Sequence, residues 1–276
     1  MASFAFKQLD VFSSEPLKGN PLAVVLGADG LSDEQMAAFA RWTNLSETTF
    51  VLAPTTPEAD YRVRIFTTQF ELPFAGHPTL GTCHAWLEAG GQPKGDVIVQ
   101  ECGVGLVRIR RNEARLAFAA PPLRRSGEPD AALVERLARG LGIARNEIVA
   151  AQWVDNGPGW VAVMLRDREQ LLALEPDYSH LKDIKLGVIA PWAGGDAQFE
   201  VRALIAGVGM QEDPVTGSLN ASLAQWLIGS GRAPAHYVAS QGTALGRKGR
   251  VYVDQIGEDI WIGGSAVTCI DGRVTL

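Results

Sequence analysis

At 276 residues the chain is long enough for two domains that each bury a core of their own. An apolar share of 46% against 20% charged residues excludes a disordered chain, and glycine and proline break the longest apolar runs, such as LGVIAPWAGG, well short of a membrane-spanning helix. The balance of 31 acidic to 25 basic side chains, a net charge of −6, argues against a nucleic-acid-binding face, so the short basic clusters RIRRNEAR and PPLRR read as a solvated strand face and a linker.

In chain order, FAFKQLDVFS alternates polar and apolar residues and predicts a strand, and GNPLAVVL a turn followed by a second one. SDEQMAAFARWT (32–43) predicts a helix opened by Ser32, with Gln35 completing a capping box. SETTFVLAP and YRVRIFTT return to strand. FELPFAGHPTLGTCHAWL (70–87) is irregular, with Pro73, Gly76, His77 and Pro78 ahead of a helix expected from LGTCHAWLEAGG, which ends in a glycine stop. VIVQECGVGLVRIRRNEARLAFAAP predicts two or three strands joined by tight turns. The proline-rich APPLRRSGEPDA (120–131) is the expected domain boundary. The order then begins again: a helix in DAALVERLARGLG, strands in EIVAAQWV, WVAVMLR and AQFEVRALIA, a helix in SLNASLAQWLIGSG, and closing strands, with Asp271-Gly272 as a hairpin signal in the last.

The two halves match locally. Pro73-Phe74-Ala75-Gly76-His77 and Pro214-Val215-Thr216-Gly217-Ser218 stand a constant 141 residues apart, each before a helix with Ala, Trp and Leu, which points to an internal duplication. The expected fold class is therefore α+β with much antiparallel pairing, in domains 1–120 and 121–276, the last strand being free to cross to the first domain.

A strand that turns through P-x-x-G into a helix leaves the first helical N–H groups without intrahelical acceptors, and such a place suits a carboxylate. Two copies could close on a small acid in a cleft, or could be no more than helix caps that bind water. His77 is expected to point outward, either as a hydrogen-bonding cap or, with an ordinary pKa, as a proton-transfer group near neutrality. Asp213 stands before the second turn as an acid, a base or a cap. Glu47, a single carboxyl at the edge of the apolar run TTFVL, is either an exposed strand end or a partly desolvated acid–base group. Cys83-His84 has no companion Cys/His/Asn signature, His77, His84 and Glu88 form no H-E-x-x-H, and GVGLVR and GVGMQE lack the third glycine of a dinucleotide fingerprint. What remains is proton transfer by side chains.

Five blocks carry a resemblance. GNPLAVVL (19–26), NLSETTFVL (44–52), FELPFAGHPTLGT (70–82), EDPVTGSLNASLAQWL (212–227) and SQGTALGRKGRVYV (240–253), in that order and spread over the whole chain, resemble the phenazine-biosynthesis PhzF-like isomerases. The resemblance implies the diaminopimelate-epimerase fold: two pseudo-symmetric domains, each a curved mixed sheet around a central helix, with the site in the cleft. It implies no nucleotide, metal or pyridoxal cofactor, a small carboxylic-acid substrate and a homodimer. Glu47 matches the family's proton-shuttling glutamate, His77 and Asp213 its motif histidine and aspartate. Asn20, Ser46, Gly76, Gly217 and Ser218 match positions that hold the substrate. The two thiols of related racemases fall on Ala75 and Thr216, so a two-cysteine racemase is disfavoured; Cys83, Cys102 and Cys269 read as buried small hydrophobes. Where several relatives carry GSAH, this chain has GSLN, so Leu219-Asn220 is expected near the cleft and suggests a different substrate. With three cysteines, no secretory-type start and no expected membrane or nucleic-acid partner, the expected location is cytoplasmic. The expected function is a cofactor-independent isomerase centred on Glu47, the alternative a non-catalytic metabolite-binding protein on the same fold.

Overall fold

A computed structural model describes residues 2–112, 115–205 and 211–276. The chain divides into two compact units, Met1–Ala119 with Gly263–Leu276, and Ala120–Ile262. Residues 207–210 of GVGMQE and 113–114 of RIRRNEAR lie outside the described residues.

The first unit contains β1 (Ser3–Val11), β2 (Asn20–Leu26), α1 (Asp33–Thr43), β3 (Thr48–Leu52), β4 (Tyr61–Phe66), β5 (Glu71–Leu72), α2 (Gly76–Glu88), β6 (Val97–Cys102), β7 (Gly105–Asn112) and β8 (Arg115–Ala119). The second contains β9 (Arg125–Gly127), α3 (Ala131–Leu141), β10 (Ala150–Asp155), β11 (Trp160–Met164), α4 (Arg168–Leu172), β12 (Lys185–Pro191), β13 (Phe199–Ile205), β14 (Glu212–Asp213), α5 (Gly217–Gly229), β15 (His236–Gln241) and β16 (Gly249–Ile256). β17 (Asp259–Gly264) leads back to β18 (Ala266–Thr275), which belongs to the first unit. β9 lies inside the proline-rich stretch expected to be a linker, and pairs with β10.

In the first unit the strands run β18–β1–β2–β3–β4–β6–β7–β8, with β2–β3 and β4–β6 parallel and the other pairs antiparallel. In the second, β9–β10–β11–β12–β13–β15–β16 has β11–β12 and β13–β15 parallel and the rest antiparallel. Parallel neighbours need a crossover, and each parallel joint has a helix in its crossover: α1 and α2 in the first unit, α4 and α5 in the second. The stretch β2 to β7 thus repeats as β11 to β16, and each unit is a mixed sheet with few helices, α+β in class.

Sequence pattern decides which helix lies inside. α1 buries one stripe, Met36, Phe39 and Ala40, and its Ser32 cap and Gln35 form the expected capping box. α3 is likewise one-sided, burying Val134, Leu137, Ala138 and Leu141. α2 and α5 instead carry small and apolar residues nearly all round, and nine of the thirteen residues of each are buried. α2 packs on β1, β2, β3, β8 and β18, from both flanks of its sheet, and α5 on β10, β11 and β16.

Two expectations are corrected. Asp271-Gly272 does not turn the chain; β18 runs straight through it, with Asp271 opposite Lys7 and Gly272 opposite Phe6 on β1, because Lys7 Nζ binds the Asp271 carboxylate at 2.7 Å and extends the ladder. Of the three cysteines only Cys83 is buried; Cys102 is half-buried and Cys269, on an outward-facing position of β18, is exposed.

Candidate active site

The irregular stretch around His77 is the start of α2 itself. The helix begins at Gly76, four residues before the expected Leu80, and Pro78 occupies its first turn, where a missing N–H costs nothing because no intrahelical acceptor exists there. The preceding residue, Ala75, is extended (φ −153°, ψ 141°) and has no side chain able to cap, so the Gly76 and His77 N–H groups have no acceptor among the described residues.

Two other turns bring side chains to this helix start. Gly19 leads into β2 with its N–H on Asp10 Oδ2 at 2.7 Å, and a Cβ there would lie 2.2 Å from the Val11 carbonyl oxygen, so only glycine fits. That turn sets Asn20 at the head of β2, with Nδ2 3.3 Å from His77 Nδ1. α1 ends on Asn44 in the left-handed conformation (φ 54°), and the chain reverses through Ser46 and Glu47 into β3, stapled by a 2.9 Å hydrogen bond between the hydroxyls of Thr43 and Thr48. Glu47 Oε2 then lies 3.4 Å from His77 Nε2, with the Glu47 side chain 16% exposed. Ser46 Oγ, in the same turn, is shielded from solvent and has no partner among the described residues.

His77 does not point outward as expected. It is 5% exposed, and burial pushes its pKa down to about 3, opposed only by a hydrogen bond to the Pro21 backbone. Being the second residue of a helix that its sheet surrounds, it is turned inward, and at neutral pH it is an uncharged imidazole. Its contact with Glu47 is therefore a carboxyl–imidazole contact rather than a pair of full charges.

The second unit builds the same turn with other chemistry. α5 starts at Gly217, again 141 residues from Gly76, after an extended Thr216. Thr216 does not cap the helix; its hydroxyl donates to Asp213 Oδ2 at 2.5 Å. Gln241, fully buried on β15, accepts from Thr216 N (3.0 Å) and Asn220 Nδ2 (2.8 Å) and donates to the Asp213 carbonyl and Thr216 Oγ1, both at 3.0 Å. Ser218 is held by Trp160 Nε1–H on its Oγ (3.1 Å) and by Asn156 Nδ2 on its carbonyl (3.0 Å). Leu219 and Asn220, the residues that depart from GSAH, are both buried. Leu219 fills the space over Gly187, where a Cβ would meet its Cδ1 at 2.5 Å, and Asn220 is spent on Gln241 and the Thr216 carbonyl.

The structure thus brings Asn20, Glu47, Gly76 and His77 together in the first unit, and Asp213, Gly217 and Ser218 in the second. Asn156, Trp160 and Gln241 were missed, and Asn220 was singled out without its tie to Gln241. For Gln241 a signal existed, since Gln100 and Gln241 keep the 141-residue spacing. Among the described residues no cluster of His, Cys, Asp and Glu is arranged to hold a metal ion, and no helix is long and apolar enough to cross a membrane.

A sequence model for phenazine biosynthesis-like proteins matches residues 9–272. The chain belongs to this family. A trans-2,3-dihydro-3-hydroxyanthranilate isomerase from Pseudomonas aeruginosa is 33% identical, the alignment covering 97% of this chain and 98% of the relative. Antisense-enhancing sequence 1 of Schizosaccharomyces pombe is 36% identical, with 99% of each chain covered. Among solved structures, a Bacillus anthracis protein of the PhzF family superimposes with a TM-score of 0.85 at 25% identity over 100% of both chains. A hydroxyproline epimerase from Agrobacterium vitis shares the fold at a TM-score of 0.61 and 12% identity, over 99% of this chain and 92% of that one. With isomerases among its full-length relatives, this member of the PhzF family is an isomerase. The residues before its two central helices are Ala75 and Thr216, neither of which supplies a thiol.

Proposed function

We propose that the chain isomerises a small unsaturated carboxylic acid, with Glu47 carrying the proton. The observation that supports this most is the Glu47–His77 contact of 3.4 Å at the uncapped start of α2. A substrate carboxylate accepts from the Gly76 and His77 N–H groups, where the helix start favours negative charge. The Glu47 carboxylate takes a proton from a substrate carbon, the electron pair of that C–H bond shifts the double bond, and the resulting carboxylic acid returns the proton to a second carbon. Atoms and charge balance without an oxidant, a reductant or a cofactor. Neutral His77 orients Glu47, Asn20 fixes the ring of His77, and the Ser46 hydroxyl contributes to substrate binding. Asp213 orients the α5 turn through Thr216, and Gly217 and Ser218 offer a second set of acid-holding N–H groups.

The test is proton exchange in heavy water over a panel of small unsaturated acids, beginning with trans-2,3-dihydro-3-hydroxyanthranilate, the compound in the names of relatives at 32–33% identity. Turnover with deuterium incorporated at carbon, slowed by about 10²–10⁴ in Glu47→Gln, is expected. Full turnover in Glu47→Gln overturns the role of Glu47, and acid binding without any exchange makes the chain a binding protein.

A further inference from the structure

Asp10, next to last in β1, is a carboxylate that the chemistry above leaves unused. It is only 2% exposed, and among the described residues its partner is the Gly19 N–H at 2.7 Å, with no cation against it. Burying a charge for one backbone hydrogen bond is expensive, which points to a segment that would otherwise move. That segment is the loop of residues 12–19. It leaves the sheet where Val11 faces Asn20 across β1 and β2, the end at which Asn20 meets His77. Two of its residues are left-handed without being glycine, Phe12 at φ 65° and Leu17 at φ 66°, a conformation that crowds the Cβ of an L residue against its own backbone. Phe12 is fully buried, so packing holds it. Leu17 is 71% exposed, and it follows Pro16 at a turn position that ordinarily takes glycine or asparagine. Its own side chain does not hold it there. The strain is held from elsewhere, and Gly19, at the far end of the loop, is where Asp10 takes hold.

We propose that Asp10 is a positioning residue: its carboxylate clamps the strained loop through Gly19, and the clamp keeps Asn20 on the ring of His77. Released, Leu17 returns to an ordinary backbone conformation and carries Asn20, three residues on, away from the ring. The inference rests on the reading that His77 orients Glu47, and adds the residue that holds His77 through the loop.

The test reads the ring-nitrogen resonances of His77 in the full chain, assigned by their loss in His77→Gln. Asn20→Ala marks the shift that follows when the contact is lost. Asp10→Ala is expected to move the resonances the same way, and Asp10→Asn, whose amide oxygen still accepts the Gly19 N–H, to leave them near their wild-type positions. Should Asp10→Ala fail to fold, Asp10→Ser stands in, its hydroxyl being too short to reach Gly19. Adding Leu17→Asn, which suits the left-handed conformation, to Asp10→Ala is expected to bring the resonances part of the way back. A second arm follows deuterium exchange on trans-2,3-dihydro-3-hydroxyanthranilate, which Asp10→Ala should slow by about tenfold to a hundredfold with KM little changed. Resonances unmoved in Asp10→Ala, or moved with the rate unchanged, overturn the inference and leave the role of Glu47 in place. A Leu17→Asn change without effect on the Asp10→Ala resonances overturns the part played by strain. No exchange in the wild type overturns the isomerase reading for this compound, and the resonances then decide the place of Asp10 by themselves.

Discussion

The α2 and α5 turns are two versions of one device. Ala75, Gly76, His77, Thr79 and Gln100 stand 141 residues before Thr216, Gly217, Ser218, Asn220 and Gln241. In both, a buried glutamine on the next strand reaches the fourth residue of the helix: Gln100 Nε2 donates to Thr79 Oγ1 at 3.1 Å, and Gln241 accepts from Asn220 at 2.8 Å. Their other bonds diverge. Gln100 accepts from the Tyr61 hydroxyl at 3.0 Å and stays with the core, whereas Gln241 binds the turn itself at Asp213 and Thr216. The first turn has a histidine against a carboxyl, the second a serine between an indole and an amide. The difference teaches that the scaffold was kept while its lining changed: at one helix start a carboxyl lies against a histidine, and at the other the carboxyl, Asp213, is tied to the turn through Thr216 among fixed donors and acceptors.

Substitutions can break that contrast, and the largest effect is expected at Glu47. Replacing it with glutamine keeps the shape and removes the proton carrier, so the isomerisation rate should fall by about 10²–10⁴ with unfolding by denaturant unchanged. No matching loss is expected from Ser218→Ala, the residue equivalent to His77.

Next come the two glutamines. Gln241→Leu strands the Thr216 N–H and the Asn220 amide in the interior and should cost about 3 kcal/mol of stability, while Gln100→Leu, which takes a partner from the hydroxyls of Tyr61 and Thr79 but from no backbone group, should cost about half as much. Equal costs in urea titrations would show that the second turn is no more dependent on its strand than the first.

A smaller effect is expected in the pH dependence of stability. His77 stays neutral in the folded chain down to about pH 3, whereas in the unfolded chain it protonates near its ordinary value of 6.5. Below pH 6.5 the unfolded state therefore binds more protons, and stability falls with decreasing pH until about pH 3. This one group contributes a slope of at most about 1.4 kcal/mol per pH unit. His77→Gln should flatten the curve across that window, and Ser218→Ala should leave it unchanged. Least disruptive is thiol labelling of the native protein: Cys269 should react readily, and Cys83, buried with its pKa pushed up to about 12, should not.

Much of this was legible in the chain. The capping box at Ser32 and Gln35, the strands around it and the paired P-x-x-G turns follow from local patterns. The family blocks bring Glu47, His77 and Asp213 forward together. The start of α2 was misplaced because Pro78 reads as a helix breaker, whereas in a first turn it is compatible. The inward aim of His77 was hidden because a helix surrounded by its own sheet has no outer face at that position. Asn156 and Trp160 gave no local sign, since they meet Ser218 across 62 and 58 residues of chain. Asn220 was visible as a departure from GSAH, but only the fold shows that it supports the turn.

The pairing of β1 with β18 has a consequence for synthesis. β1 leaves the ribosome well before β18, the strand that covers its flank. Until then the unpaired flank of β1 can be copied by another nascent chain, so this half of the protein needs protection for longer than the half made after it.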